Sequence, residues 1–227
     1  MNIVKYWYLE ESFNMMTRIG MGEMMKLCHL LVMKTYMKGA YIHDMGQPEE
    51  TVYFIKKGQV KIGHRDEEGN ETLRYVLGRG HIFGESRIMG ESGPSYFAKT
   101  LSETQICFIE ADMMEQLLGK YPRLNNAITK ISWKKVSKME RRLEDLLYKD
   151  AKTRILDFIK DHVSENGQKE EGGLFHAKNP YSHTDIAKLT STSRQTVNNV
   201  ISAHRETGVF EYDRHYIKMK LDDGEVG

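Results

Sequence analysis

Apolar residues recur along this chain in two rhythms, one helical and one of strands, and each predicts a different kind of structure. Between residues 9 and 33 they fall at helical intervals. Met15, Met16, Met24, Met25 and Leu27 form the inward side of one or two short helices, with methionine filling irregular gaps in a core. From about 35 to 110 the rhythm shortens. Val52 to Ile55, Gln59 to Ile62 and Thr72 to Val76 are β-rich runs, and "SYFAKTL" and "TQICFIE" continue the series. Lys57-Gly58 and the "DEEGN" of 66–70 read as hairpin turns. Strands this short and this evenly spaced predict an antiparallel barrel or roll.

From Arg123 to Asn166 the chain has neither Gly nor Pro. Leu124, Ile128, Ile131, Met139, Leu143 and Leu146 share one broad helical face, opposite Lys130, Lys134, Lys138 and Arg141. Lys135 and Arg142 interrupt the apolar stripe. The roll covers part of such a helix, and pairing with a second copy of the chain covers the rest. The run is too long for one globular helix. Asp150 is a good N-cap for a new helix from Ala151, so the hinge falls at Tyr148–Asp150. A helix over 151–164, a polar loop and "LFHAK" as a strand follow.

The next segment, "YSHTDIAKLTSTSRQTVNNVISAHRETG", reads as helix, tight turn, helix. Ser182 caps the first helix with Asp185 as its capping-box partner, and Ser193 caps the second, three residues before Thr196. Ile186, Ala187 and Leu189 face inward, as do Val197, Val200 and Ile201. Arg194, Gln195, Asn198, Asn199 and Ser202 are left on the outer face, and no acid lies between Asp185 and Glu206. Arginine pairs with guanine edges, and glutamine or asparagine with adenine, so this is the chemistry of a major-groove recognition helix. Ser193, Thr196 and the helix amides suit phosphate. After Gly208, "VFEYDRHYIKMKL" alternates about a turn, as the wing of a winged helix does, with Arg214 and His215 at its tip.

Composition narrows the class. The 227 residues are 40% apolar and 29% charged with a net charge of +1, so any DNA-binding surface is local. Apolar runs such as Leu30 to Met33 are too short to span a membrane, and the acidic N-terminal stretch does not read as a signal peptide. Two cysteines, Cys28 and Cys107, make neither a disulfide framework nor a four-thiolate metal site, and a reducing cytoplasm fits them. No nucleophile–base constellation, metal-ligand spacing or P-loop is present, so an enzyme is not expected.

Taken together, "YFIKKGQVKI", Phe83-Gly84-Glu85, the long helix after Pro122 and "TSRQTV" at 192–197 resemble the cyclic-AMP receptor protein (Crp/Fnr) family of bacterial transcription regulators, over nearly the whole chain. The resemblance implies an α+β protein with three parts. Residues 1–110 would be an antiparallel β-roll sensor of the cyclic-nucleotide-binding, jelly-roll type. Residues 111–149 would be a long dimerisation helix and hinge, and 150–227 a winged helix-turn-helix. It also implies a homodimer on a two-fold symmetric double-stranded DNA site. Arg194 and Gln195 become the main base readers, and Asn199 stands where the best-known members carry a second arginine, so the target differs at that step. Ser191 replaces the turn glycine.

The implied effector pocket is partly altered. Gly84 and Glu85, with Ser86 beside them, match residues that hold a phosphate and a ribose hydroxyl. The phosphate-binding arginine falls on Pro94, while the following serine is kept as Ser95. Met139 and Glu140 stand where small hydroxyl residues contact adenine in some members. An arginine–phosphate pair is among the strongest hydrogen-bonded contacts, so its loss argues against cyclic AMP and leaves the effector unnamed. Arg87 and Lys99 are nearby cations whose direction strand alternation does not settle. Two cysteines are too few for an iron–sulfur cluster, and His43, His64 and His81 fit structural or surface roles better than haem ligation. The polar loop at 164–173 lies where some members touch RNA polymerase, and it equally reads as a solvated linker. The expectation is a DNA-binding transcription regulator; the rival is a ligand-binding module acting on a protein partner, which residues 193–202 argue against.

Overall fold

The computed structural model describes residues 13, 19–48, 50–86, 88, 96–206 and 210–221. Helix α1 (Met21–Leu30) leads into eight strands: β1 (Val32–Tyr36), β2 (Tyr41–His43), β3 (Thr51–Lys57), β4 (Val60–Arg65), β5 (Glu71–Leu77), β6 (Ile82–Phe83), β7 (Phe97–Thr100) and β8 (Thr104–Glu110). They form two four-stranded antiparallel sheets, in the orders β1-β8-β3-β6 and β2-β7-β4-β5.

Strand β3 shows how period-two alternation builds two cores. Val52 and Phe54 point one way, into a cluster with Met24, Leu27, Leu31, Cys107, Ile109 and Met114. Tyr53 and Ile55 point the other way, with Val60, Ile62, Leu77, Phe83, Ala98 and Ile106, between the two sheets. Cys28 and Cys107 are buried in the first cluster. Met24 and Leu27 are buried as the helical spacing predicts, while Met15 and Met16 lie outside the described residues.

One turn differs from its sequence reading. "DEEGN" does join an antiparallel pair, β4 with β5. Lys57-Gly58 does not make a hairpin, because β3 pairs with β8 and β6 while β4 pairs with β5 and β7. The chain instead turns a corner from one sheet to the other. Gly58 takes φ +87 there, and a Cβ on it would stand 2.5 Å from the Glu103 carbonyl oxygen. A left-handed glycine serves a hairpin or a corner equally well, and the partners of β3, far away in sequence, make the choice.

Helix α2 (Ala111–Lys120) is followed by α3 (Pro122–Tyr148), with proline at its first position, where no N–H is needed. Leu124, Ala127, Ile128, Ile131 and Ser132 of α3 are buried. From Trp133 onward its apolar side chains are open to solvent: Met139 is 51% exposed, Leu143 60% and Leu147 69%.

The chain divides into two compact units, Met1–Met139 and Glu140–Gly227. In the second, Asp150 accepts a hydrogen bond from the Thr153 N–H at 2.7 Å and caps α4 (Ala151–Asn166), as the sequence predicts. Lys149 bridges the break, with Nζ 2.7 Å from both Asp145 and Asp157. Those two carboxylates, Asp145 foremost, push its pKa up. Strand β9 (Gln168–Lys169), a 3-10 turn at Glu171–Gly173, β10 (Leu174–Lys178), α5 (His183–Thr190), α6 (Arg194–Glu206), β11 (Phe210–Tyr212) and β12 (Tyr216–Lys220) complete it. "LFHAK" is β10, and it joins the wing in one sheet ordered β11-β12-β10-β9. Inside α4, Ile155, Ile159 and Val163 are buried beside His162. His162 Nε2–H donates to the Lys178 carbonyl at 2.8 Å.

Candidate nucleic-acid interface and effector pocket

Capping sets the helix-turn-helix. Ser182 Oγ accepts from the Asp185 N–H at 3.1 Å, and the Asp185 carboxylate accepts from the Ser182 N–H, also at 3.1 Å, closing the expected box. Ser193 Oγ accepts from the Thr196 N–H at 3.0 Å and starts α6. Between the helices Ser191 is left-handed (φ 52, ψ 52), the one non-glycine residue at positive φ among those described. Helices commonly end on such a residue, and glycine is the cheapest one to place there. Arg154 of α4 braces the turn: Nε donates to the Thr190 carbonyl at 2.9 Å, Nη2 to that of Ser191 at 3.3 Å, and Nη1 to that of Lys149 at 2.6 Å.

Val197, Val200 and Ile201 seat α6 on its core. Arg194, Gln195, Asn199 and Ser202 are exposed, and the first turn holds no acid. Two amides are already oriented. Gln195 Nε2–H donates to Asn199 Oδ1 at 2.9 Å. His183, the first residue of α5, donates from Nδ1–H to Asn198 Oδ1, and its ring lies 5.6 Å from that of Tyr212 in β11. Both asparagines therefore have their acceptor oxygens engaged and their N–H donors left over. Sequence reasoning missed His183, since its link to Asn198 depends on how α5 crosses α6, which no local pattern encodes.

At the wing tip Arg214 and His215 are exposed. Asp213 shapes the turn, accepting from the His215 N–H at 2.6 Å and the Tyr216 N–H at 3.3 Å. Those two hydrogen bonds, His215 first, hold its carboxyl below the usual range.

In the first unit Gly84 has φ +82, and a Cβ there would stand 2.1 Å from the Thr51 carbonyl oxygen. Its neighbour Glu85 is buried and forms an ion pair with Lys135 of α3. Ser86 is half-buried. Pro94, Ser95 and Arg87 lie outside the described residues. Met139 is more than half exposed, and Glu140 is exposed in the second unit. Lys99 turns to Tyr41, its Nζ 3.3 Å from the phenol oxygen and 4.5 Å from the ring centre. The cation that reaches Glu85 comes from the long helix; its sequence signal was the break that Lys135 makes in the apolar stripe. Of the histidines, His43 is buried with its ring 5.0 Å from Tyr96, and His81 Nδ1–H reaches the Gly78 carbonyl at 3.3 Å.

Comparison with known proteins agrees with this geometry. Residues 33–121 match the family described as cyclic nucleotide-binding domain. A CRP-like cAMP-activated global transcriptional regulator of Mycobacterium tuberculosis is 26% identical over 172 residues, spanning 75% of this chain and 76% of that protein. The global nitrogen regulator of Synechocystis is 26% identical over 190 residues, spanning 83% of this chain and 84% of its own. Among solved structures, the c-di-GMP-responsive global regulator CLP of Xanthomonas campestris shares the fold, with a TM-score of 0.73 at 18% identity over 88% of this chain and 99% of that one. Among the described residues no helix is long and apolar enough to cross a membrane. With a cyclic-nucleotide-binding domain at residues 33–121, a long helix and a winged helix-turn-helix in that order, the chain is similar along most of its length to transcription regulators of the Crp/Fnr type.

Proposed function

We propose that this regulator acts in the cytoplasm as a homodimer that binds a two-fold symmetric DNA site, with a sensor roll whose effector is not cyclic AMP. The observation that carries the reading is the exposed face of α6, where Arg194, Gln195, Asn199 and Ser202 stand beside an acid-free, side-chain-capped N-terminus. An arginine fork reads guanine O6 and N7, and the backbone amides of the first turn suit phosphate. Dimerisation is supported by the uncovered stripe of α3, where Val136, Met139, Leu143 and Leu146 recur at three- and four-residue intervals and are all substantially exposed. The effector would bias two settings of the paired long helices, and so the spacing of the two copies of α6. The polar segment at 164–173, exposed at Gln168, Lys169 and Glu170, would be the contact for RNA polymerase.

Selection from a random DNA pool followed by gel shift tests the reading. A palindromic site is expected, and Arg194→Ala or Gln195→Ala should cost about 1–3 kcal/mol on it and relax base choice at one step per half-site. A pool that yields no enriched sequence, or an unchanged profile in both variants, overturns it.

A further inference from the structure

We propose that Lys135 is a built-in occupant of the sensor pocket: its ion pair with Glu85 fixes the rotational setting of α3 on the roll without a small-molecule effector.

The acid is held rigidly. Strand β6 pairs through Phe83 with Tyr53 and through Ile82 with Phe54, and the Phe83 ring stacks on Tyr53 at 4.6 Å. Gly84 then turns in a left-handed conformation against the Thr51 carbonyl, where no side chain fits. The direction of Glu85 is thus set by the sheet. Its side chain is only 10% exposed, and a carboxylate so far from water needs a donor. A nucleotide sensor would meet that need with ligand hydroxyls. Here the Lys135 ammonium meets it, with a side chain 12% exposed.

The position of Lys135 on its helix gives the pair its consequence. Leu124, Ile128 and Ile131 form the inward stripe, and residue 135 is its next member at the four-residue spacing. Immediately beyond, Val136, Met139 and Leu143 are uncovered. The pair therefore sits where α3 leaves the roll, and it grips the helix's rotation next to the stripe assigned above to the partner copy. A leucine at 135 would pack in a range of settings, whereas an ammonium is satisfied only in the one that brings it to Glu85. A ligand entering beside Glu85 must supply both hydroxyl donors for the carboxylate and an anion for the displaced ammonium.

This inference rests on the proposed DNA-binding function for one readout and stands apart from it for the other. Full-length wild type, Lys135→Met, Glu85→Gln and the charge exchange Glu85→Lys/Lys135→Glu are compared. By hydrogen–deuterium exchange, amides of residues 133–148 should open at least tenfold faster in Lys135→Met and Glu85→Gln, and return to within about threefold of wild type in the exchange variant. On the DNA selected from the random pool, wild type should bind equally well with and without 1 mM cyclic AMP or cyclic GMP. Lys135→Met should lose tenfold or more in affinity, and the exchange variant should recover it. A thermal melt of each variant confirms folding. Wild-type exchange rates in both single variants, failure of the exchange variant to recover, or a nucleotide that tightens wild-type DNA binding overturns the latch. If the pool yields no site, the DNA-binding reading fails alone, and the exchange rates still judge the latch.

Discussion

The brace that Arg154 makes across the helix-turn-helix turn is the contact whose removal has the most readable cost. Its guanidinium donates to three carbonyls, of Thr190, Ser191 and Lys149, at 2.9, 3.3 and 2.6 Å. Two are at strong hydrogen-bond distance, and the third is long. A hydrogen bond involving a charged group contributes roughly 1.5–3 kcal/mol net when its partner stays dry. Water can reach part of this site, since Ser191 is exposed, so the lower end applies, giving about 2–4 kcal/mol for Arg154→Ala. In a unit of this size each kcal/mol moves the midpoint by about 4–8 °C, so scanning calorimetry should show the transition of the C-terminal unit falling by at least about 8 °C. Arg154→Lys keeps the charge but loses the fork, and should recover less than half of the loss. Ser191→Gly supplies the second arm. Relief of the left-handed serine is worth about 1–2 kcal/mol, and the greater freedom of glycine in the unfolded chain takes back about 0.4–1. The net change should be a gain of about 0–1.6 kcal/mol. If Arg154 braces this turn, the double variant will not be additive. A midpoint within 2 °C of wild type for Arg154→Ala, or strict additivity with Ser191→Gly, would show that the turn stands without it.

Two further outcomes follow from the same unit. Replacing His183 by Ala frees Asn198 Oδ1, so the amide can again offer a donor and an acceptor together; the sites selected from a random pool should gain adenine at the Asn198 step, and an identical profile refutes a positioning role. Burial lowers the pKa of His162 below 6.5, partly offset by its bond to the Lys178 carbonyl, so the folded state holds it neutral while the unfolded chain takes up a proton as pH falls below about 6.5. The stability it contributes is present above that pH and lost on acidification, and His162→Gln, which keeps an N–H for Lys178, should flatten the fall in Tm between pH 7.5 and 5.5.

What the sequence revealed, and what it hid, divides by the range of the interaction. The Ser182–Asp185 box and the Ser193 cap were legible because each is a contact across three residues. The strands were legible because alternation and turn residues are local, but their division into two sheets was not: nothing near Lys57-Gly58 says that β3 will pair with β8 rather than β4. After β6, Gly84 and Glu85 could be placed from "FGE", yet the partner of Glu85 lies 50 residues away.

The two cations that spoil the apolar stripe of α3 were visible from the start, and their meaning came only with their partners. Lys135 meets Glu85, and Arg142 donates from Nη2 to the Lys188 carbonyl of α5 at 3.0 Å, 46 residues away. Burial depresses the pKa of Arg142. Each cation is costlier to bury than a leucine would be, and apolar replacement of such groups is often neutral or stabilising. What a leucine cannot do is distinguish one rotational setting of a helix from the next. A stripe made wholly of carbon would hold α3 more firmly and less specifically. In each unit α3 is held by a polar contact that tolerates one register, Lys135 with Glu85 in the first and Arg142 with the Lys188 carbonyl in the second.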